Sequence, residues 1–309
     1  MALLFRSSPQ STARWLPHLA RLMPGLEVRV HPDIGDPRDI RYALVWQPEP
    51  GLLASLPNLA LILSLGAGVD HILKDPLAPR QVPIVRLVDP YMTDMMCEHV
   101  ALQVLRLHRH DLDYMAQQRS RVWREHEQKN AAERRVGIMG LGALGMAAAD
   151  KLAGLGFALC GWSRRPRTGL GFETYAGAEE LPRFLGRAEI LVCLLPLTAE
   201  TEGILDARAL ALLPPGGFLV NVGRGGHLVE EDLLAALEEG RLAGAVLDVF
   251  REEPLPPGHP FWRHPRVVVT PHIAAATHAP TAAPIFCEAI RRFEAGLPVA
   301  NLVDPARGY

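Results

Sequence analysis

Short apolar runs, separated by polar stretches marked with glycine, proline or aspartate, set the pattern along this chain. Leu3-Leu4-Phe5 reads as a first strand. Trp15, Leu16, Leu19 and Leu22 then fall at helical spacing, with Ser11 and Thr12 as candidate caps and Pro24-Gly25 as the stop. Further strands are expected at residues 26–30, 43–46, 61–63 and 84–86. Such alternation argues for a parallel sheet with helices on its faces. From about Asp94 to about Arg121, through Val100, Leu102, Val104, Leu105 and Leu107, the pattern predicts one long helix bridging two domains.

A second α/β series begins at Arg135. Strands are expected at 136–139, 157–162, 190–195, 218–221, 245–249 and 267–270, with a glycine turn and a helix after the first of them. The proline-rich stretch 254–260 reads as a loop, and a final helix at about 281–295 returns the chain to the first domain. The expected organisation is two α/β domains, a discontinuous one of residues 1–98 with 277–309 around a second of 99–276.

Composition narrows this picture. The length of 309 residues suits about two domains of roughly 100–200 residues each. With 49% apolar and 21% charged residues, the chain has material for a sizeable core. Acids and bases are interspersed at a net charge of −2, so no basic stripe invites a nucleic acid. No apolar stretch reaches the roughly 18–20 residues of a membrane span. The four cysteines are scattered without CxxC or metal-site spacing, so no disulfide framework and no metal centre is expected. Residues 1–26 hold arginines and serines but no acid, as a transit peptide would, yet their strand and helix pattern reads as folded protein. A cytoplasmic setting is expected.

Gly140-Leu141-Gly142-Ala143-Leu144-Gly145 is a GxGxxG match. Alone the pattern is weak, but here it follows an apolar strand and opens a helix of small residues. The glycines permit a tight turn, a close approach to a pyrophosphate and helix-on-strand packing. The helix N-terminus supplies unpaired N–H donors for phosphates. An NAD site wants an acid about 20 residues on. Ser163-Arg164-Arg165 stands there instead, followed by Arg167, with no acid until Glu173. A carboxylate would repel a 2′-phosphate that guanidinium groups bind, so NADP(H) is expected over NAD(H).

Three segments at expected strand ends carry groups for chemistry: Asn221 to Gly226 with Arg224, Asp248-Val249-Phe250 leading to Glu253-Pro254, and Thr270-Pro271-His272. Hydride addition to a ketone builds negative charge on oxygen, and a histidine donates a proton near neutral pH. A carboxylate stabilises the imidazolium, and an arginine clamps a substrate carboxylate and polarises the carbonyl. Composition alone does not single out His272 among twelve histidines.

The ordered set of these motifs resembles the D-isomer-specific 2-hydroxyacid dehydrogenases over nearly the whole chain. Leu65-Gly66-Ala67-Gly68-Val69-Asp70-His71 is similar to that family's substrate-carboxylate loop. Leu44-Val45-Trp46, Trp162-Ser163-Arg164 and the terminal Ala306-Arg307-Gly308-Tyr309 are similar to a bacterial subgroup that reduces glyoxylate and hydroxypyruvate. The resemblance implies a Rossmann-type doubly wound parallel sheet for the cofactor domain and a flavodoxin-like α/β substrate domain. It also implies a cleft between the two and a homodimer formed mainly through the cofactor domain. By the same resemblance Arg224 binds and polarises the substrate, Glu253 pairs with the acid/base His272, and the N–H groups of Ala67 and Gly68 hold the carboxylate. Leu195, Pro196, Val222, Gly223, Asp248 and Ala274 complete the expected cofactor-binding set, beside the glycine turn and Ser163, Arg164 and Arg165. Trp46 is a candidate pocket wall, with half-buried core packing equally open.

One departure limits the carry-over: Met96-Cys97 precede Glu98-His99 where many members have Thr-Ala. A relative oxidising phosphoglycerate or phosphonate would generally favour NAD, against which the basic turn counts. A methyltransferase would want an acid for its cofactor ribose. A non-catalytic dinucleotide-sensing scaffold stays open, because the residue types alone do not prove turnover.

Overall fold

The computed structural model describes residues 1–304, so the terminal motif from Ala306 to Tyr309 lies outside the described residues. The chain divides into two compact units, residues 1–92 with the segment from Thr277, and residues 93–276. The first unit holds β1 (Ala2–Arg6), β2 (Glu27–Val30), β3 (Ile40–Val45), β4 (Leu61–Ser64) and β5 (Ile84–Val85). They form one parallel sheet in the order β2-β1-β3-β4-β5. Chain order reverses at β1, which is the flavodoxin-like arrangement, and such sheets take ligands beyond the carboxyl ends of their strands. Ala2 to Phe5 are all buried, as in a parallel strand covered on both faces.

The opening helix runs over Pro9–Leu22 and corrects one expectation. Its cap is Ser8, whose Oγ accepts the Ser11 N–H at 3.2 Å, rather than Ser11 or Thr12. Pro9 takes the first helical position, where its missing N–H costs nothing.

The second unit is built on β6 (Arg135–Met139), β7 (Ala158–Ser163), β8 (Glu173–Ala176), β9 (Ile190–Cys193), β10 (Gly217–Asn221), β11 (Leu242–Leu247) and β12 (Val267–Val269). These seven parallel strands run in the order β12-β11-β10-β9-β6-β7-β8, doubly wound about β6. Alternate residues feed opposite faces. Ile190, Val192, Val220 and Val246 join one core, and Leu191, Cys193, Leu219 and Leu247 join the other. Both faces are therefore dry, which is why the strands read as unbroken apolar runs. β8, with only Tyr175 buried, offered no such run.

The helix expected over about 94–121 is two helices, Pro90–His108 and Asp111–Ser120. His110 sits between them in the left-handed region (φ 58°), which interrupts the helical hydrogen-bond ladder. The second helix buries no residue, so the apolar spacing that defines the first ends with it.

Candidate active site

The glycine turn leaves β6 through Gly140, at φ 112°, a conformation closed to other residues. A Cβ on Gly145 would stand 1.8 Å from the Gly140 carbonyl oxygen, so the helix Ala143–Gly154 closes onto the turn only as glycine. Gly142, at its N-terminus, faces open space, and a Cβ there would meet nothing within 4 Å. Ala143 beside it is exposed, while Leu141 is buried and Leu144 half-buried against the apolar core. That combination leaves room for a phosphate in front of the helix's unpaired N–H groups. Met96, the departure noted above, is buried in the same apolar cluster as Leu141 and Val222.

β7 ends in the basic turn. The Ser163 hydroxyl donates to the Arg165 carbonyl at 2.7 Å, while Arg164, Arg165 and Arg167 are exposed. The segment from Ser163 to Phe172 that leaves β7 carries no carboxylate of its own. Glu200, on the loop after β9, lies within electrostatic reach of Arg164; its lowered pKa comes first from the Thr198 hydroxyl, then from a backbone N–H, with Arg164 adding a smaller share. A position rich in guanidinium and free of an adjoining strand-end acid fits a 2′-phosphate.

Leu195 and Pro196 follow β9, and Leu195 lies against the glycine turn, since a Cβ on Gly140 would meet its nitrogen at 3.1 Å. Val222 and Gly223 follow β10 beside them. Past Gly223 the chain makes a tight turn around Arg224, pinned from below by two side chains. Asn221 Nδ2 donates to the Arg224 carbonyl at 3.0 Å, and Asn221 Oδ1 accepts the Gly223 N–H at 3.2 Å. His227, fully buried, accepts the Arg224 N–H on Nδ1 at 3.1 Å. Gly225 presses so closely on the backbone of Phe250 that a Cβ would stand 1.9 Å from its carbonyl carbon. That approach brings Arg224 towards Glu253.

The histidine turn follows β12. His272 has φ 53°, and its backbone N–H donates to the Asp248 carbonyl at 2.8 Å. The buried Asp248 carboxylate accepts from the Thr270 hydroxyl at 2.5 Å and from the N–H groups of Ile273 and Ala274, each at 2.9 Å. Those bonds hold His272 in a conformation that a non-glycine residue rarely adopts. Asp248 and Ala274, both expected at the cofactor, are thus bonded to each other under this turn, with Ala274 packed in the core. His272 Nδ1 lies 2.7 Å from Glu253 Oε2, and the other carboxylate oxygen accepts the Phe250 N–H at 2.9 Å. Desolvation pushes the Glu253 pKa up, but the hydrogen bonds from His272 and Phe250 and the charge of Arg224 outweigh it and leave it lowered. Facing a carboxylate, Nδ1 is the donor of the pair, so Nε2 is the ring nitrogen that Glu253 does not engage.

His99 belongs to this unit too. Burial pushes its pKa down against the opposing charge of Asp248, so it stays neutral. Cys160 and Cys193 are no nucleophiles, since burial raises each thiol to about 12.

In the first unit, Ala67 and Gly68 lie half-buried on the loop after β4, and Trp46 follows β3. Sequence reasoning gave no role of their own to Asn221, His227 and Thr270, which hydrogen-bond beneath the Arg224 and His272 turns. The one available signal was polar side chains at the ends of buried strands, where an unpaired polar group would be costly.

Comparison with known proteins bears on the chemistry. The sequence profile of the D-isomer specific 2-hydroxyacid dehydrogenase NAD binding domain matches residues 101–274. "Glyoxylate/hydroxypyruvate reductase A" of Serratia proteamaculans (strain 568) is 43% identical over 317 residues, covering all of both chains. A D-isomer specific 2-hydroxyacid dehydrogenase from Xanthobacter autotrophicus Py2, solved with NADPH and MES, superposes with a TM-score of 0.94 at 47% identity, covering 100% of this chain and 99% of that one. An NADPH-dependent glyoxylate/hydroxypyruvate reductase from Sinorhizobium meliloti, in complex with NADP and sulfate, gives 0.92 at 42% identity over 100% of both chains.

Proposed function

The chain belongs to the D-isomer specific 2-hydroxyacid dehydrogenases, and from that premise we propose that it reduces glyoxylate and hydroxypyruvate to glycolate and D-glycerate with NADPH. The observation that carries this reading is the 2.7 Å contact of His272 with Glu253 beside Arg224. In this reading bound NADPH supplies the hydride. His272 gives the proton from Nε2 to the carbonyl oxygen as charge develops there, and Glu253 stabilises the imidazolium beforehand and holds its ring in place. Arg224, its backbone pinned by Asn221 and His227, polarises the carbonyl and binds the substrate carboxylate. In the unit begun by residues 1–92, the N–H groups of Ala67 and Gly68 are assigned to a substrate carboxylate, with Trp46 as a candidate wall. The unit of residues 93–276 takes the cofactor, through Gly140 to Gly145, Ser163, Arg164, Arg165, Leu195, Pro196, Val222, Gly223, Asp248 and Ala274. The unit begun by residues 1–92 takes the substrate.

The 2′-phosphate choice is supported by Arg164 and Arg165 where an NAD enzyme would place an acid. It is also supported by the NADP complexes of the two solved relatives. We assign a homodimer formed through the cofactor unit, where Trp123 is 98% exposed with Val122 beside it at 48%, an apolar surface of the kind interfaces cover. A cytoplasmic setting is supported by four buried free cysteines. Among the described residues no helix is long and apolar enough to cross a membrane.

The direct test follows NADPH and NADH oxidation with glyoxylate, hydroxypyruvate, pyruvate and phenylpyruvate. Turnover of the first two with NADPH is expected. No turnover with any of the four would overturn the reductase reading, and a clear preference for NADH would overturn the arginine argument.

A further inference from the structure

The loop carrying Ala67 and Gly68 is shaped by a hydrogen-bond relay that lies wholly beneath it. Ser64, at the end of β4, is fully buried, and His71 is 3% exposed. His71 Nδ1 accepts the Gln47 N–H at 3.1 Å. A nitrogen that accepts bears no proton, so the neutral ring carries its proton on Nε2. That nitrogen lies 3.0 Å from Ser64 Oγ and donates to it. Ser64 Oγ also receives the Gly66 N–H at 3.3 Å, and its own proton goes to the Gly68 carbonyl at 3.0 Å. One direction of donation runs through the whole relay.

Its effect on the loop can be followed peptide by peptide. The plane joining Leu65 to Gly66 is held at both ends, by Thr277 Oγ1 donating to the Leu65 carbonyl at 2.5 Å and by Ser64 on the Gly66 N–H. The next plane is held by the Leu87 N–H donating to the Gly66 carbonyl at 3.1 Å, which turns the Ala67 N–H the opposite way. The plane joining Gly68 to Val69 is held by Ser64 on the Gly68 carbonyl. The plane that bears the Gly68 N–H is bracketed between them. Trp46 closes the side: a Cβ on Gly66 would meet its ring at 2.6 Å, and the ring centroids of Trp46 and His71 are 4.5 Å apart.

We propose that Ser64 and His71 are positioning residues for substrate-anion recognition, holding the backbone so that the Ala67 and Gly68 amides converge on the carboxylate of a small 2-keto acid. The proposal rests on the reductase reading and deepens it. Neither side chain touches substrate. Each acts through the loop, on binding rather than on hydride or proton transfer. An interaction made equally with the ground and transition states raises KM when lost and leaves kcat alone.

The test is a steady-state series with glyoxylate, paired with inhibition by oxamate, a carboxylate that is not reduced, and with NADPH affinity by fluorescence titration. Ser64→Ala and His71→Leu should each raise the glyoxylate KM and the oxamate inhibition constant about tenfold, one hydrogen bond's order of effect, with kcat within about twofold and NADPH affinity unchanged. His71→Gln offers an acceptor and a donor in place of the ring and should recover most of the loss. Were His71 only filling space, leucine would be the better substitute and glutamine the worse. Thr277→Val, acting on a half-buried residue from the loop's other side, should give a smaller rise of the same kind and serves where a buried variant fails to fold. Unchanged KM and oxamate inhibition, a fall in kcat alone, or leucine outperforming glutamine would each overturn the proposal. A wild-type enzyme that neither turns over glyoxylate nor binds oxamate would instead overturn the reductase reading.

Discussion

His227 and His272 follow strands of the same sheet, both near Arg224, yet they differ in what their Nδ1 atoms meet. His227 is fully buried, and its Nδ1 accepts a backbone N–H from Arg224. His272 has a side chain 32% exposed, and its Nδ1 faces the Glu253 carboxylate at 2.7 Å. An N–H partner demands an unprotonated Nδ1, and a carboxylate demands a protonated one. The first surrounding makes a strut under the Arg224 N–H, and the second leaves Nε2 as the nitrogen to which the reductase reading assigns the proton transfer. The residue type is the same; the partner of one nitrogen separates scaffold from chemistry.

Removing the chemical histidine is the sharpest way to break the comparison. His272→Ala should lower kcat for glyoxylate about 1000-fold, within the range typical of a lost general acid, with NADPH affinity unchanged. A variant retaining near-normal turnover would remove His272 from the reaction. Next comes its partner. Glu253→Gln keeps the size of the side chain but loses the charge that stabilises the imidazolium, and should lower kcat by about 10–100-fold, less than loss of the acid itself. An equal or larger loss than His272→Ala would place Glu253, not His272, at the reacting atoms.

The strut should respond more weakly and in another way. His227→Asn can still offer an acceptor to the Arg224 N–H, whereas His227→Leu cannot. We expect kcat/KM to fall about tenfold in the leucine variant through a misplaced Arg224, and less in the asparagine variant. Identical losses in both would show that the cavity, not the hydrogen bond, matters.

This contrast also marks how far the sequence could be read. The parallel sheets were legible because both faces of each strand are buried, so Ile190 to Cys193 print as an apolar run whichever face each residue serves. The glycine turn was legible because Gly140 and Gly145 are demanded by backbone sterics that a local pattern records. Arg224, Glu253 and His272 could be nominated because they stand past strand ends, where sheets of this kind take their ligands. His227 stands as near to Arg224 in sequence as any strut must, but its role depends on a single turn of 3-10 helix, Gly225–His227, folding its ring back under the Arg224 N–H. Ser64 and His71 were hidden for the same reason, since their partners Gln47 and Gly68 are assembled by the fold. The helix break at His110 was invisible because a left-handed histidine leaves no mark in apolar spacing. What composition and periodicity miss is who accepts from whom.

The smallest expected effect concerns acid stability, and it reads the His272–Glu253 pair without a measurement of turnover. Glu253 has its folded-state pKa lowered below the ordinary 4.5, by hydrogen bonds and charge that outweigh desolvation. A carboxyl group depressed on folding stabilises the native state above its unfolded pKa, and that contribution disappears as pH falls through the folded value. The pair is partly open to solvent, at 32% and 28% side-chain exposure, so screening limits it to about 1 kcal/mol or less. In a chain of this size that is a shift in Tm of roughly 2–4 °C at most. Thermal melts of the wild type and of Glu253→Gln should therefore differ by a few degrees at neutral pH and converge as pH falls below about 4.5, where the wild-type carboxyl protonates and comes to resemble the amide. A Glu253→Gln difference that persists undiminished into acid would mean that packing, not the charged pair with His272, is what the side chain contributes.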